Sequence, residues 1–394
     1  MLIHSEDSFE DLIISDILIK TKRPFDSLVL KFLNTLSKSI LRNKLAKTYP
    51  DLITFGFFCR TANLIKNRNR YQQELNFRTG FGLAVHISPS NIPINFAFSF
   101  IFGLLSGNSN AVRLPSNNFN QNILLLEIIQ NVLEDIEYEE IKKSTIFFNS
   151  SRSSEKLKEF CSIADSLIVW GGDETVKTFK EFDKKISCVE LFFPNRLSSL
   201  IIDSETFIIE EDKDKVLINF YNDTYLVDQN ACSSPTNIFW FGSEKSNLVA
   251  QDFFWDELKK TLKQKNYLLS TISIFDKYIN VMRALNETNT PLKLKKHDSN
   301  IWESFEAPEI SKFFNLGLFA SINIKNLDEI IPKFRKNEQT ITYYGLDPID
   351  INNSLEKGQI SIDRIVPIGS ALEIGLIWDG KDIIRHLSKY TQVS

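Results

Sequence analysis

Four cysteines stand among the 394 residues, and one of them has neighbours that suit a reactive thiol. Cys232 lies in Asp228-Gln229-Asn230-Ala231-Cys232-Ser233-Ser234-Pro235, a run of small and polar residues leading into a strand, where its sulfur stays accessible. Cys59 and Cys188 fall in apolar runs and Cys161 in a helix, surroundings in which cysteine serves as a small buried hydrophobe. That plainer role is open to Cys232 too, because no basic neighbour in sequence lowers its pKa. A thiol that attacks a carbonyl needs donors for the oxyanion that forms. Asn91, in the loop Ser88-Pro89-Ser90-Asn91-Ile92-Pro93 where a strand ends, carries a side-chain amide that can donate. It equally suits a helix cap, with Pro93 in the first turn. Gly171-Gly172 follows a strand and precedes a helix, where bare backbone either approaches a pyrophosphate or simply turns tightly.

Other chemistries lack their signatures. Neither GxxxxGK(S/T) nor GxGxxG occurs, and Gly80-Phe81-Gly82 precedes a strand instead of following one, so any dinucleotide has to be held differently. The cysteines form no CxxC pair, and the histidines at 4, 86, 297 and 386 show no ligand spacing. Disulfides and a metal centre are therefore not expected, and a reducing cytoplasm fits. Lys plus Arg number 46 against 50 Asp plus Glu, a formal charge of −4 that offers nucleic acid no basic patch.

The elements that position these residues alternate. Residues 1–75 read as helical, with apolar residues at three- and four-residue spacing from Phe25 to Leu41 and a second helix from Pro50-Asp51. Strand Leu83–Ile87, an apolar helix to Leu105 stopped by Gly107, and strand Ala111–Leu114 make a βαβ unit, whose right-handed crossover makes the strands parallel. Helix Ile123–Leu133, strand Thr145–Phe148, helix Ser154–Ala164, strand Leu167–Trp170, helix Thr175–Phe182 and strand Cys188–Phe193 continue it. The alternation predicts a doubly wound parallel sheet with ligands at the carboxyl ends of its strands.

After about Leu200 a second α/β unit begins. It has a helix around Val216–Tyr221, strand Thr236–Phe241, helices Ser246–Leu262 and Leu268–Leu285, strand Leu318–Ile324, helix Leu327–Phe334 and strand Thr340–Tyr344. The polar stretches Asn286–Asn300 and Asn352–Lys357 read as loops. The expected division is 1–200 for the N-terminal helices and cofactor domain, 201–365 for the domain with Cys232, and 366–394 as a C-terminal segment. Thirty-two phenylalanines supply a large core. The N-terminus shows no secretory signal, and the apolar stretch Ile92–Leu105 is too short for a membrane span of about 20 residues.

Together these segments resemble a family. The stretch FGLAVHISPSNIPINFAFSFIFGLLSGNSNAVRLPS looks like the cofactor-domain signature of the aldehyde dehydrogenase superfamily, and more closely that of the LuxC-type acyl-CoA reductases of bacterial luminescence. IVWGGDET, DQNACSSP, EQTITYYG and DRIVPIGSALEIGLIWDG match the same family in order. The resemblance implies an aldehyde dehydrogenase-like fold, with a nicotinamide cofactor domain, a second α/β catalytic domain, and the active cysteine in the cleft between them. Cys232 matches the nucleophile and Asn91 the oxyanion-hole asparagine. Ser88, Pro89, Gly171 and Gly172 fall at the cofactor. Arg113 stands where the superfamily has a lysine at the adenosine ribose or its 2′-phosphate, and a planar guanidinium suits a phosphate, hence NADPH.

One departure bears on mechanism. The hydrolytic members carry Glu-Leu-Gly-Gly, whose glutamate activates water; here Val189-Glu190-Leu191-Phe192-Phe193-Pro194 keeps Glu190-Leu191 and replaces both glycines. Glu190 is either a base or a charge at a strand end. The resulting expectation is a cytoplasmic, NADPH-dependent acyl-CoA reductase that forms a cysteinyl acyl-enzyme and releases an aldehyde. Its rivals are a hydrolytic NAD(P)-dependent aldehyde dehydrogenase and a catalytically silent acyl-binding subunit beside an acyltransferase or acyl-protein synthetase. The chain is short for a full luminescence enzyme, which suggests a shortened relative. The superfamily resemblance also implies a dimer or tetramer, with an acyl-CoA or acyl-carrier thioester as substrate.

Overall fold

The computed structural model describes residues 3–287, 293–305, 308–334 and 336–393. The chain divides into two compact units, Met1–Pro194 with Ile374–Ser394, and Asn195–Glu373. The sequence reading set its first boundary at 200 and treated 366–394 as a segment of its own.

The first unit is built on six strands: β1 (Ile3–His4), β2 (Leu83–Ile87), β3 (Ser109–Arg113), β4 (Thr145–Phe148), β5 (Ser166–Trp170) and β6 (Val189–Phe193). They lie in the order β1-β4-β3-β2-β5-β6, and every pair is parallel. From β2 the chain moves outward through β3 to β4, then returns to β5 on the other side. The direction of winding thus reverses between β2 and β5, the topological switch point beside which open α/β sheets bind ligands. Helices cover both faces. Ala84, Val112, Phe147 and Ile168 enter one core with Phe96 and Phe100, while Val85, Ala111, Ile146 and Val169 enter another with Leu157 and Phe160. Burial on both faces explains why these strands read as continuous apolar runs. The edge strand Ile3–His4, beside Phe147–Phe148, corrects the all-helical reading of 1–75: two residues are too few to leave a periodic signal.

Among the described residues the second unit has seven strands: β7 (Leu197–Asp203), β8 (Asn237–Phe241), β9 (Leu294–Lys296), β10 (Trp302–Phe305), β11 (Leu318–Ile324), β12 (Glu338–Tyr344) and β13 (Arg364–Pro367). Their order is β9-β10-β11-β8-β7-β12-β13, parallel except for the β9–β10 pair. Three expectations need correction here. Asn352–Lys357 is the body of a helix, Pro348–Lys357, started by Asp347, whose carboxylate accepts from the Ile349 N–H, and by Pro348 in the first turn. Leu327–Lys333 is a 3₁₀ helix containing Pro332, not an α-helix. Of the stretch Asn286–Asn300, residues 288–292 lie outside the described residues, and the rest includes β9 instead of being all loop.

Candidate functional site

In the first unit the carboxyl ends of β2 and β5 bring together four of the expected residues. Ile87 closes β2 and leads to Ser88-Pro89; Trp170 closes β5 and leads to Gly171-Gly172. Ser88 is buried, and its Oγ has no hydrogen-bond partner. A side chain at Gly171 would be tight, since an added Cβ would lie 3.0 Å from the Thr175 methyl, which would have to give way. Gly172 is the N-cap of helix Asp173–Lys180, whose first turn already carries Asp173 and Glu174. Those acids complement the helix dipole, so of this turn only the Gly171-Gly172 backbone is without a negative side chain.

Arg113 closes β3 in register with Ile87. Its guanidinium is buried, and Nε and Nη2 both donate to the Ser150 carbonyl, at 2.9 and 2.6 Å. Burial lowers its pKa, followed by the repulsion of Arg152. The fork is therefore preset by one main-chain oxygen, with Nη1 outside those two bonds.

The loop that carries Asn91 is not a cap. The helix begins at Asn95, four residues later, and its N-cap is Ile94, whose N–H donates to Asn122 Oδ1 at 2.8 Å. Pro93 thus precedes the helix instead of occupying its first turn. Ile94 holds φ = +52°, a left-handed conformation that a β-branched residue rarely adopts. Asn91 itself is exposed. Glu190 is second in β6, level with Leu167 and three residues, about 10 Å, short of the strand's carboxyl end. Its carboxylate pairs with Lys184 at 2.9 Å.

Beneath the switch point runs a buried chain of hydrogen bonds that sequence reasoning missed. Asn110 Oδ1 can only accept, so His86 Nε2, 3.0 Å away, carries the proton and Nδ1 is the acceptor. Ser99 Oγ–H then donates to Nδ1 at 2.7 Å, while Ser99 accepts from Trp170 Nε1–H at 2.9 Å. The imidazole is neutral, and its burial pushes the pKa down to about 4. The chain fastens β2, β5 and helix Asn95–Leu105 together at the root of the Ser88 and Gly171 loops. Its one signal in the sequence is a histidine in the middle of an apolar strand.

In the second unit Cys232 occupies a turn at the amino end of β8. It is exposed, whereas burial raises the other three thiols: Cys59 strongly, Cys161 to about 12, and Cys188 to about 11 with help from Glu190. The turn is held from several sides. The Cys232 carbonyl accepts from Ser198 Oγ at 2.7 Å. Gln229, at φ = +58°, donates from Nε2 to the Pro235 and Leu318 carbonyls and accepts the Gly317 N–H at Oε1. Ser234 Oγ donates to the Asp223 carbonyl at 2.7 Å. The Asp223 carboxylate in turn accepts the N–H groups of Gly369 and Ala371, at 2.6 and 2.8 Å. Burial raises its pKa to about 7 against those two bonds. Asp223 and Ser198 were also missed, because their partners lie far away in the sequence.

A family model described as acyl-CoA reductase (LuxC) matches residues 5–274. The chain belongs to the LuxC acyl-CoA reductase family. Among LuxC relatives, it is 26% identical over 264 residues to long-chain acyl-protein thioester reductase 2 of Photobacterium leiognathi, covering 65% of this chain and 52% of that protein. It is 24% identical over 321 residues to the long-chain acyl-protein thioester reductase of Aliivibrio fischeri, covering 78% and 63%. The LuxC-type chain thus spans less than two thirds of the length of the curated relatives it matches. The fold is that of the aldehyde dehydrogenases: 1-pyrroline-5-carboxylate dehydrogenase from Thermus, solved with bound NAD, superposes with a TM-score of 0.63 at 12% identity, over 92% of this chain and 80% of that one. Among the described residues no group of three or more His, Cys, Asp or Glu is placed to hold a metal, and no helix is long and apolar enough to cross a membrane.

Proposed function

We propose that this LuxC-family chain reduces an acyl thioester, most simply a fatty acyl-CoA, to an aldehyde with NADPH by way of an acyl group carried on Cys232. The observation that supports it most is the cysteine: of four thiols it is the exposed one, on a turn fixed by Ser198, Gln229 and Ser234. In this reading the Cys232 thiolate attacks the thioester carbonyl. As the tetrahedral adduct collapses, the bond to the substrate sulfur breaks, the substrate's thiol leaves as its thiolate, and the acyl group remains on Sγ. The Cys232 N–H and the Asn91 amide donate to the oxyanion.

Ser88, Pro89, Arg113, Gly171 and Gly172 would hold the cofactor. An unpartnered buried hydroxyl, a side-chain-free turn and a preset guanidinium at neighbouring strand ends fit a dinucleotide, with Arg113 toward a 2′-phosphate. When bound, NADPH supplies the hydride that takes the acyl group to the aldehyde level. Glu190, paired with Lys184 away from the strand's carboxyl end, is assigned a structural charge, so no side chain is given the task of activating water.

The test is acylation without reductant. Incubation with a panel of acyl-CoAs should add one acyl mass to the protein and release an equivalent of coenzyme A; NADPH should then clear the adduct to aldehyde. Cys232→Ala should form no adduct, while Cys59→Ala, Cys161→Ala and Cys188→Ala should still acylate. Clearance to the free acid without reductant would make the chain a hydrolytic dehydrogenase, and labelling that persists in Cys232→Ala would overturn the nucleophile. An unlabelled protein that accepts acyl groups only from an acylated carrier would move the donor from coenzyme A to a protein. With no acylation from any donor, the silent-subunit reading would stand.

A further inference from the structure

Helix Lys213–Thr224 ends beside the Cys232 turn and holds it on both sides of the cysteine. The Thr224 carbonyl accepts the Gln229 N–H at 2.7 Å, and the Asp223 carbonyl accepts Ser234 Oγ–H, also at 2.7 Å. Asp223 reaches a second segment through its side chain. Its buried carboxylate accepts the Gly369 N–H at Oδ2 and the Ala371 N–H at Oδ1, at 2.6 and 2.8 Å. Arg364 donates to the Ser370 and Ala371 carbonyls of the same loop, at 3.0 and 3.1 Å. The loop also rests on the helix itself. A Cβ at Gly369, which holds φ = +95°, would lie 2.8 Å from the Asn219 side chain. Turn and loop are thus separated by the breadth of one aspartate.

Two converging N–H groups need an acceptor at each side-chain oxygen. An ionised carboxylate supplies both; protonation turns one oxygen into a hydroxyl, and an amide sets its own NH₂ against one of the two N–H groups. The tie to loop 367–371 is therefore strongest when Asp223 is charged. Thr224 follows Asp223 in the chain, so a shift of Asp223 moves both carbonyls that hold the turn. The charged groups facing the carboxylate are Arg364, from β13, and Glu373, past the end of the loop, which are of opposite sign. We propose that Asp223 is a positioning residue for thioester attack: its ionised carboxylate seats loop 367–371 on the end of the helix, and that seat keeps the Cys232 turn aligned so that its N–H meets the oxyanion. This rests on the acyl-reductase reading. Burial raises the Asp223 pKa to about 7, so the seat loosens as pH falls through neutrality.

The test compares two reactions of Cys232, acylation by acyl-CoA and alkylation by iodoacetamide, each followed by peptide mass in the unmodified chain and in Asp223→Asn. Alkylation forms no oxyanion and reads the thiolate alone. At about pH 8.5 acylation of Asp223→Asn should be at least about tenfold slower, a part of the 10²–10³ that a lost oxyanion donor costs. The gap should close towards about pH 5.5, where the unmodified chain has lost the same charge. Alkylation should differ by less than about threefold throughout. Equal acylation rates, a gap that does not change with pH, or a parallel loss of alkylation would overturn the proposal. If acyl-CoA labels neither protein while iodoacetamide labels both, the acyl-reductase reading fails, and the positioning role with it. Should Asp223→Asn not fold, hydrogen exchange on the unmodified chain decides. Protection of the Gly369 and Ala371 amides, corrected for the intrinsic rate, should fall between about pH 8 and 6; unchanged protection would overturn the proposal.

Discussion

Asn91 had two roles open to it, and their consequences separate cleanly at a single side chain. Because the helix starts at Asn95 and Asn122 serves the Ile94 N–H, truncating Asn91 removes no cap. Asn91→Ala is expected to leave unfolding free energy within about 0.5 kcal/mol, as for an ordinary exposed position. If Asn91 donates to the oxyanion, turnover should fall about 10²–10³-fold. Paired urea titrations and single-turnover kinetics check both halves, and a normal rate would take Asn91 out of the mechanism. Arg113 is less simple, since Ser150 O depends on it. Arg113→Ala should raise the KM for NADPH more than that for NADH and also cost roughly 1–3 kcal/mol by leaving a buried carbonyl unserved. Arg113→Lys, with charge but no fork, should recover part of the KM effect and little of the stability. Equal efficiency of the unmodified protein with both cofactors would refute the preference itself. Arg113 and Cys232 were visible in the sequence as residue types at the ends of strands. What their neighbours do was not: the Ser150 contact spans 37 residues and that of Ser198 spans 34, and no local pattern encodes either.

Elements were legible where periodicity was strong and illegible where polar residues are satisfied from afar. The β-α alternation from Leu83 to Phe193 could be read because its central strands are buried on both faces and mostly apolar, His86, Asn110 and Arg113 apart. Strand β7 was missed because Ser198 and Ser199 break its run; both are fully buried, bonded to the Cys232 carbonyl and the Glu338 carboxylate. Helix Pro348–Lys357 was missed because its polar Asn-Asn-Ser suggested a loop, although Asp347-Pro348 is a helix start signal. The His86–Ser99–Trp170 chain joins three elements, and its pH dependence follows from the histidine. A folded pKa of about 4 lies below the unfolded value near 6.5, so below that value the unfolded state binds the extra proton. Its contribution is complete above about pH 6.5 and is lost as pH falls toward 4, about 3 kcal/mol in all. His86→Gln should therefore flatten the acid limb of a stability–pH curve measured by urea unfolding between pH 7 and 4.5. An unchanged slope would mean that the imidazole is charged in the fold.

At the scale of the whole molecule, the first unit is discontinuous. Strand Ser388–Tyr390 pairs with Arg78–Gly80, and the buried Arg78 donates to Ser388 O at 3.1 Å, as does Asn108 Nδ2 to Leu387 O at 2.8 Å. Leu376, Ile383, Ile384 and Leu387 fill the core beside helix Asn95–Leu105. A chain ending at Glu373 should lose more than about 5 kcal/mol from the first unit, comparable with the whole stability of a domain. Limited proteolysis that cuts first within 78–108 would show it; an unchanged cleavage pattern would refute it.

That pairing also sets a clock. Translation proceeds at about 5–20 residues per second, so the roughly 300 residues between Gly80 and Ser388 take on the order of 15–60 s to make. Throughout that interval the nascent first unit has its sheet but not its closing strand, and Arg78–Gly80 stays an open edge of the kind that invites foreign strands. The second unit, contiguous from Asn195 to Glu373, is complete before its predecessor in the chain. Order of synthesis and order of completion are therefore inverted, and the interval between them is when a nascent chain of this fold most needs a chaperone.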